Sequence, residues 1–217
     1  MPGEPPRTGP TILADGPDAT AGSFSYSNAG SHLLSVILTE ATGRSTLDYA
    51  RENLFTPLGI DTHNAGEPKW DDPDAAYDKA YRQAAFAWPR DPRGHHVGSC
   101  CIKMTARDMT KLGELMLNDG RWGDTQVVSA EWVAESTRPQ VSASGVTDQY
   151  GYQWWVTQAD GHPAFAAVGL GGQLIEVVPE LDLVVVVSSL QEPGNAEGNA
   201  LIAMVSHVVA PTLRDPR

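Results

Sequence analysis

The chain has 217 residues, a hydrophobic fraction of 41% and a formal net charge of −12, values typical of one soluble globular domain. Acidic residues are spread along the sequence without a basic run, which argues against nucleic acid and anionic membranes as partners. The sequence contains neither an apolar run of about 18 residues that could span a membrane nor a signal-peptide pattern.

The first predicted elements follow a segment rich in proline and glycine. Residues 1–22 hold five prolines and four glycines without an apolar period, so we expect a flexible tail or loop ahead of one domain over residues 23–212. From Gly30, apolar residues recur at helical spacing, and Gly43 is expected to end this helix. Ser45 is the predicted cap of a second helix.

The middle of the chain combines an irregular segment with two predicted helices. Residues 67–98 have no clear period and predict a long excursion of the kind that often walls a binding cleft. Thr105 and Asp108 form a predicted capping box for an amphipathic helix that ends near Gly120. A shorter helix is expected from Ser129 to Ser136.

The last part of the chain predicts strands and a closing helix. Strand-forming residues occupy Tyr152–Thr157, Leu174–Val178 and Leu183–Leu190. Apolar residues at helical spacing then predict a final helix that contains Leu201, Met204, Val205 and Val208. Helices followed by neighbouring strands predict the α+β class, with an antiparallel sheet flanked by helices.

The cysteines and histidines do not show the spacing of a metal site. Cys100 and Cys101 are adjacent and would point to opposite faces of an extended segment, which excludes a structural disulfide and predicts two small apolar fillers. His95 and His96 are also adjacent, and with His162 they are expected on the surface or in loops, where one could contact a substrate. We expect no metal and no cofactor.

Short motifs follow one another in a fixed order over residues 23–190. The first is Tyr26-Ser27-Asn28, directly ahead of the first helix. The others are Phe55-Thr56-Pro57-Leu58-Gly59, Met104-Thr105-Ala106-Arg107-Asp108, Tyr150-Gly151-Tyr152-Gln153-Trp154-Trp155, Gly169-Leu170-Gly171-Gly172-Gln173 and Val178-Pro179-Glu180-Leu181-Asp182. This order resembles that of the serine β-lactamase-like and penicillin-binding-protein-like hydrolases, in particular the class C-related esterases and amide hydrolases. The resemblance implies part of the three-layer β-lactamase/transpeptidase fold, without its amino-terminal portion.

The chemistry that the resemblance implies is acyl transfer through an acyl-enzyme. In this family a Ser-x-x-Lys helix supplies the nucleophile, and the tyrosine that aligns with Tyr26 carries the serine proton. A tyrosine hydroxyl ordinarily has a pKa of about 10, so it acts as a base only where nearby cations or a lysine favour proton loss. Asn28 would orient the lysine and the substrate. Without the resemblance, Tyr26 would be an aromatic anchor at a helix entrance and Asn28 a helix cap.

The third family motif, Lys-Thr-Gly or His-x-Gly, aligns with Ala167-Val168-Gly169, where only the glycine matches. The N–H of Leu170 would then contribute to the oxyanion hole. Without a charge at Ala167, an ester or a neutral amide is a better substrate than a carboxylate-bearing one. The predicted cleft-lining residues are Trp154, Trp155, Gly171, Gly172 and Gln173. The glycines would otherwise form a hairpin turn, and the two tryptophans should face opposite sides of a strand.

The nucleophile itself is missing, because no serine in the sequence has a lysine three residues later. Cys100 and Lys103 have this spacing, but they follow Tyr26 instead of preceding it. Two hypotheses remain: a serine hydrolase whose nucleophile segment lies outside this sequence, so that the chain alone is inactive, or a truncated, non-catalytic pseudoenzyme that binds a partner. The expected partners are an ester, amide or peptide-like small molecule, a second copy of the chain, or the missing segment in trans. Relatives are often exported, which leaves the compartment open.

Overall fold

The computed structural model describes residues 24–70, 81–143, 145–189 and 198–213, so the predicted tail at 1–22 lies outside the described residues. The helices are α1 (Asn28–Thr42), α2 (Thr46–Ala50), α3 (Ala106–Leu117), α4 (Ala130–Thr137), α5 (Gly198–Met204) and α6 (Ala210–Thr212). The π-helical turns Arg51–Phe55 and Val205–Val209 extend α2 and α5. The strands are β1 (Arg121–Trp122), β2 (Thr125–Gln126), β3 (Val141–Ser142), β4 (Gln149–Tyr150), β5 (Trp155–Ala159), β6 (His162–Gly169), β7 (Gln173–Val178) and β8 (Leu183–Ser188).

Helix boundaries follow local side-chain chemistry. The hydroxyls of Ser45, Thr105 and Ser129 accept hydrogen bonds from backbone N–H groups in the first turns of α2, α3 and α4. This confirms Ser45 and Thr105 as predicted caps and shows that Ser129, predicted as the first residue of a helix, caps it instead. Gly43 ends α1 in the left-handed conformation, with φ of 66°. Ser27, and not Asn28, caps α1, because its hydroxyl accepts from Gly30 N–H.

The main sheet has six antiparallel strands in the order β3-β4-β5-β6-β7-β8. The first predicted strand starts later than expected, at Trp155, because residues 152–154 belong to the preceding loop. Strand β6 was not among the strands predicted from the residue pattern. Among the described residues β8 pairs only with β7, so the outer edge of β8 is open.

Helices cover both faces of the sheet and give the domain three layers. Helix α3 packs on one face, where the apolar residues are Met109, Leu112, Met116, Phe165, Ile175 and Val177. The segment from α5 to α6 packs on the other face, where the buried residues are Ala164, Ala166, Leu174, Val178, Val205 and Ala210. This arrangement confirms the predicted α+β fold. No helix in the described ranges is long and apolar enough to cross a membrane.

The cysteine prediction is wrong, because Cys100 and Cys101 form a disulfide. The prediction assumed extended backbone, in which adjacent side chains diverge. Cys101 instead has φ of 77°, in the left-handed region, and its side chain turns towards that of its neighbour. Neither cysteine is therefore a free apolar filler.

His96 lies in the irregular segment 67–98, as the expectation of a surface or loop position allowed, but its side chain is fully buried. Its Nδ1 accepts from Leu47 N–H at 3.4 Å, and its Nε2 lies 2.9 Å from Glu67 Oε2. Burial lowers the pKa of His96, and the positive charge of Arg90 lowers it further. The hydrogen bond and the charge of Glu67 act in the opposite direction. His96 therefore joins α2 to the excursion as a structural residue.

Candidate functional site

The amino-terminal turn of α1 carries the predicted catalytic pair. Tyr26 lies just before the helix, with 52% of its surface exposed. Asn28 is the first helical residue, and its side chain is exposed. Because Ser27 supplies the cap, Asn28 is free of the capping role that sequence alone could assign to it.

Contacts with the excursion hold α1 in place. His32 Nε2 lies 3.2 Å from Asp91 Oδ2, and His32 Nδ1 accepts from Gly98 N–H at 3.1 Å. One turn later, Ser35 Oγ donates to His96 O at 2.7 Å. A Cβ added at Gly98 would lie 2.7 Å from the backbone oxygen of Ser31, so only glycine permits this approach. The excursion therefore supports the helix that carries the site.

An aromatic cluster joins this turn to the sheet. The Tyr26 ring stacks on Trp155 with centroids 5.8 Å apart and an angle of 13° between the planes. Trp155 is buried and also meets Tyr150 edge to face at 4.7 Å. Phe24 packs against the same two rings. Tyr26 is thus held against the sheet by contacts with Trp155 and Tyr150.

The two tyrosines of this cluster have different environments. Burial, and to a smaller extent the nearby Tyr26, raise the pKa of Tyr150 to about 12. Tyr150 therefore remains a neutral phenol at physiological pH. Tyr26 is the more exposed phenol. Of this pair, Tyr26 is therefore better suited to exchange a proton with a bound molecule.

The glycine turn lies at the same end of the sheet as Trp155. Trp155 pairs with Ala166 in β6, and Gly169 follows about 10 Å further along the strand. Gly171 and Gly172 have φ of 88° and 83°, which a glycine hairpin turn accommodates without strain. Leu170 lies at the tip and is 86% exposed.

The remaining predicted residues divide between the two faces of the sheet. Trp154 meets Phe165 edge to face on the side of α3, whereas Trp155 lies on the opposite side. Ala167 belongs to the α3 side. The amide of Gln173 donates to Gly171 O at 3.4 Å within the turn. Tyr26 and Trp155 are thus in direct contact, while Trp154 and Ala167 lie on the other face, and the roles assigned to all of them remain predictions.

The cysteine-lysine spacing does not form a nucleophile pair. Cys100 is bonded to Cys101 and carries no thiol. Lys103 Nζ donates to the backbone carbonyls of Tyr81, Arg82 and Ala84 at 3.1, 2.8 and 2.7 Å. The ammonium group is therefore occupied by the end of a short helical turn.

One link at the site was not predicted from the sequence. Ser31 Oγ donates to Oε1 of Gln153 at 3.1 Å, across 122 positions of sequence. Gln153 has φ of 66°, in the left-handed region that favours glycine. The sequence gives no local signal for a contact over this separation.

Other concave surfaces lie away from these residues. One, of about 500 Å³, is lined by Arg44, Asp48, Arg51, Glu52 and Thr56, and another, of about 560 Å³, lies around residues 117–123. Both contain charged side chains and neither includes a predicted site residue. Within the described ranges no group of three or more His, Cys, Asp or Glu side chains is arranged to hold a metal ion.

An antiparallel sheet between two helical layers, with an exposed tyrosine stacked at one sheet end, defines a three-layer α+β domain. The chain belongs to the beta-lactamase family, whose model matches residues 12–208.

The relatives are hydrolases and penicillin-binding-protein-like folds. The 6-aminohexanoate-dimer hydrolase of Paenarthrobacter ureafaciens is 28% identical over 195 residues, which cover 85% of this chain and 44% of that protein. A Bacillus anthracis structure described as a 6-aminohexanoate-dimer hydrolase superposes with a TM-score of 0.64 and 22% identity, over 91% of this chain and 46% of that chain. A penicillin-binding-protein homologue from Caulobacter crescentus gives a TM-score of 0.60 and 15% identity, over 83% of this chain and 56% of that chain. The chain thus spans about half the length of the first relatives that it matches.

Proposed function

We propose that this chain forms the part of a serine hydrolase that accepts the nucleophile's proton and binds the acyl group. The observation that carries the proposal is the stack of Tyr26 on Trp155, at the end of the sheet where the Gly169–Gln173 turn also lies. A proton acceptor and a possible oxyanion site are the two parts that acyl transfer needs beside a nucleophile.

In the proposed reaction, a serine from a segment outside this sequence attacks an ester or amide carbonyl. Its proton passes to the ionised Oη of Tyr26, whose own proton is held by the lysine of the same outside segment, and the carbonyl oxygen, now negative, accepts hydrogen bonds from N–H groups that include Leu170 N–H. The tetrahedral intermediate collapses, the leaving alcohol or amine takes the proton from Tyr26, and an acyl-enzyme remains. Water then releases the acid by the same steps. Asn28 would orient the nucleophile's lysine and the acyl side of the substrate.

An uncharged amide or ester is the proposed substrate class. Ala167 is apolar and lies on the α3 face, so it cannot pair with a substrate carboxylate. The name of the Paenarthrobacter relative, a 6-aminohexanoate-dimer hydrolase, favours a linear amide as the bond that is cleaved, whereas the charged amino and carboxyl ends of that dimer are not part of the substrate class proposed for this chain.

The nucleophile segment is proposed to dock on surfaces that this chain leaves apolar. Leu34 and Ile37 on α1 are each more than half exposed, and lie three residues apart on one helical face. The uncharged strand β8 presents an open edge, which can take up another strand. The relatives carry about as much chain again outside the match, which is enough to supply both elements.

The exposed apolar face of α1 also favours a second candidate, a non-catalytic module that binds a partner there. In that case the fold and the aromatic cluster would remain, but no acyl-enzyme would form with any complement. A second copy of the chain is another occupant of the same surfaces.

The test joins this chain behind the amino-terminal segment of the Paenarthrobacter hydrolase that lies outside the match. The fusion and the chain alone are incubated with a fluorophosphonate and with p-nitrophenyl acetate. We expect an added mass and ester turnover for the fusion, and neither for the chain alone. Tyr26→Phe should lower turnover by about 100-fold or more, in the range of a lost general base. Tyr150→Phe is the matched control and should retain most of the turnover.

The proposal fails if labelling of the fusion does not depend on Tyr26. If circular dichroism shows a folded fusion that neither labels nor turns over ester, the binding module becomes the better assignment.

A further inference from the structure

Gln153 has a backbone conformation that its residue type rarely adopts. Five non-glycine residues in the described part of the chain have φ in the left-handed region: Cys101, Asp119, Gln153, Asp160 and Asp182. Aspartate tolerates this region because its short side chain bonds the local backbone, and Cys101 is constrained by its disulfide. Gln153 has neither explanation, so its strain needs a compensating interaction.

The hydrogen bond from Ser31 is the interaction that fits. Gln153 is exposed, so burial does not impose its conformation, yet its Oε1 accepts from Ser31 Oγ at 3.1 Å. Ser31 is one turn into α1, where its N–H donates to Ser27 O at 3.1 Å. The amide of Gln153 therefore holds the first turn of the helix that follows Tyr26.

The same two segments meet a second time in the aromatic stack. Tyr26 lies five residues before Ser31, and Trp155 lies two residues after Gln153. Their rings stack nearly parallel. A glycine at position 153 would adopt φ of 66° without strain but would offer no side chain to α1. This chain thus has a strained residue at a position where a side chain can help to fix the entrance of α1 relative to β5.

We infer that Gln153 is a positioning residue of the proposed site, because through Ser31 it holds the first turn of α1 so that Tyr26 lies flat on Trp155. Only the consequence for catalysis rests on the proposed function, since the contact can be measured without any turnover. A residue that acts in this way should influence Tyr26 only when Ser31 carries a hydroxyl.

The experiment is ¹⁹F NMR of the full chain labelled with 3-fluorotyrosine. Tyr26→Phe assigns the Tyr26 resonance, which the face of Trp155 should displace from that of an exposed tyrosine. We expect Gln153→Gly, Gln153→Asn and Ser31→Ala each to move this resonance towards the exposed value. The double variant Ser31→Ala/Gln153→Gly should move it no further than either single variant. The single variant Ser31→Thr keeps a hydroxyl and should retain the wild-type chemical shift of Tyr26.

Asp182→Gly is the matched control. It also places glycine at a left-handed position but lies in the turn between β7 and β8, so the Tyr26 resonance should not change. An unchanged resonance in Gln153→Gly or Ser31→Ala would overturn the inference. So would a double variant whose displacement equals the sum of the two single ones. Either result can occur whether or not the fusion protein forms an acyl-enzyme, so the failure of this inference is distinguishable from failure of the proposed function.

Discussion

Thr157 Oγ1 donates a hydrogen bond of 2.8 Å to Oε1 of Glu176, two strands away on the same face of the sheet. The β6 residues that pair with Thr157 and Glu176 are Ala164 and Ala166, and their small side chains leave room for the glutamate side chain. Glu176 is fully buried, and its Oε2 has no hydrogen-bond partner among the residues that the structure describes. Burial therefore raises the pKa of Glu176 to about 7, although the bond from Thr157 opposes this change.

The first prediction concerns the pH dependence of stability. The folded-state pKa of Glu176 lies above its unfolded value of 4.5, so its contribution to stability is fully present below that value and is lost as pH rises through about 7. The full loss is about 3 kcal/mol. Glu176→Gln cannot ionise and escapes this loss, so its free energy of unfolding should exceed that of wild type by about 3 kcal/mol more at high pH than at low pH. Urea unfolding over a pH series measures it.

Thr157→Val is the companion variant. It removes the hydrogen bond that favours the ionised form, so it should raise the pKa of Glu176 further and shift the loss of stability to higher pH. Parallel stability profiles for wild type and Glu176→Gln across the whole series would contradict the assignment.

The second prediction concerns the close packing of α3 on the sheet. A Cβ at Gly113 would lie 2.4 Å from Val184 Cγ1 and 3.1 Å from Ile175 Cγ2, and both neighbours are branched side chains fixed in strands. Gly113→Ala should therefore lower the free energy of unfolding by about 1–3 kcal/mol despite its better helix propensity. Val184→Ala should rescue part of this loss in the double variant, as chemical denaturation would measure. Simple additivity of the two losses would argue against the contact.

The third prediction concerns the cysteine pair. Because Cys100 and Cys101 are bonded to each other, iodoacetamide should add no mass to the unfolded, unreduced chain. After reduction it should add two carbamidomethyl groups. Intact-mass spectrometry under both conditions checks this, and Cys100→Ser provides a chain with one free thiol as the control. Two adducts without reduction would show that the thiols are free.

The fourth prediction concerns His96. Burial and Arg90 lower its pKa, and because its Nδ1 accepts from Leu47 N–H, the proton of the neutral ring belongs on Nε2 beside Glu67. In ¹⁵N-edited NMR, His96 should remain the Nε2–H tautomer and protonate below the ordinary histidine value of about 6.5. Spectra of His96→Gln assign the signal. Protonation at or above that value would contradict the buried environment.

Local chemistry made much of the helical framework predictable. Ser45, Thr105 and Ser129 cap helices through bonds that span only a few residues, so the sequence contains the whole signal. Strand β6 was missed because Pro163 and its alanines lack strand propensity, and pairing with both β5 and β7 decides its conformation.

The candidate site was also predictable from the sequence only in part. Tyr26 could be selected because it belongs to a short motif with a known spacing. Its contact with Trp155 and the link from Ser31 to Gln153 join residues more than 100 positions apart, which no local pattern contains. The cysteine prediction failed for another reason, because the left-handed conformation of Cys101 depends on the loop around it.

The open edge of β8 leaves the alignment of any added strand undetermined. Leu183, Val185 and Val187 belong to one apolar face, while Val184 and Val186 belong to the other. If an added strand shifted by one residue along β8, its side chains would move from one face of the sheet to the other. Because both faces are apolar here, this shift would cost little free energy. The correct alignment must therefore be fixed by contacts elsewhere, and a complement that lacked them would pair with β8 in several frames at once.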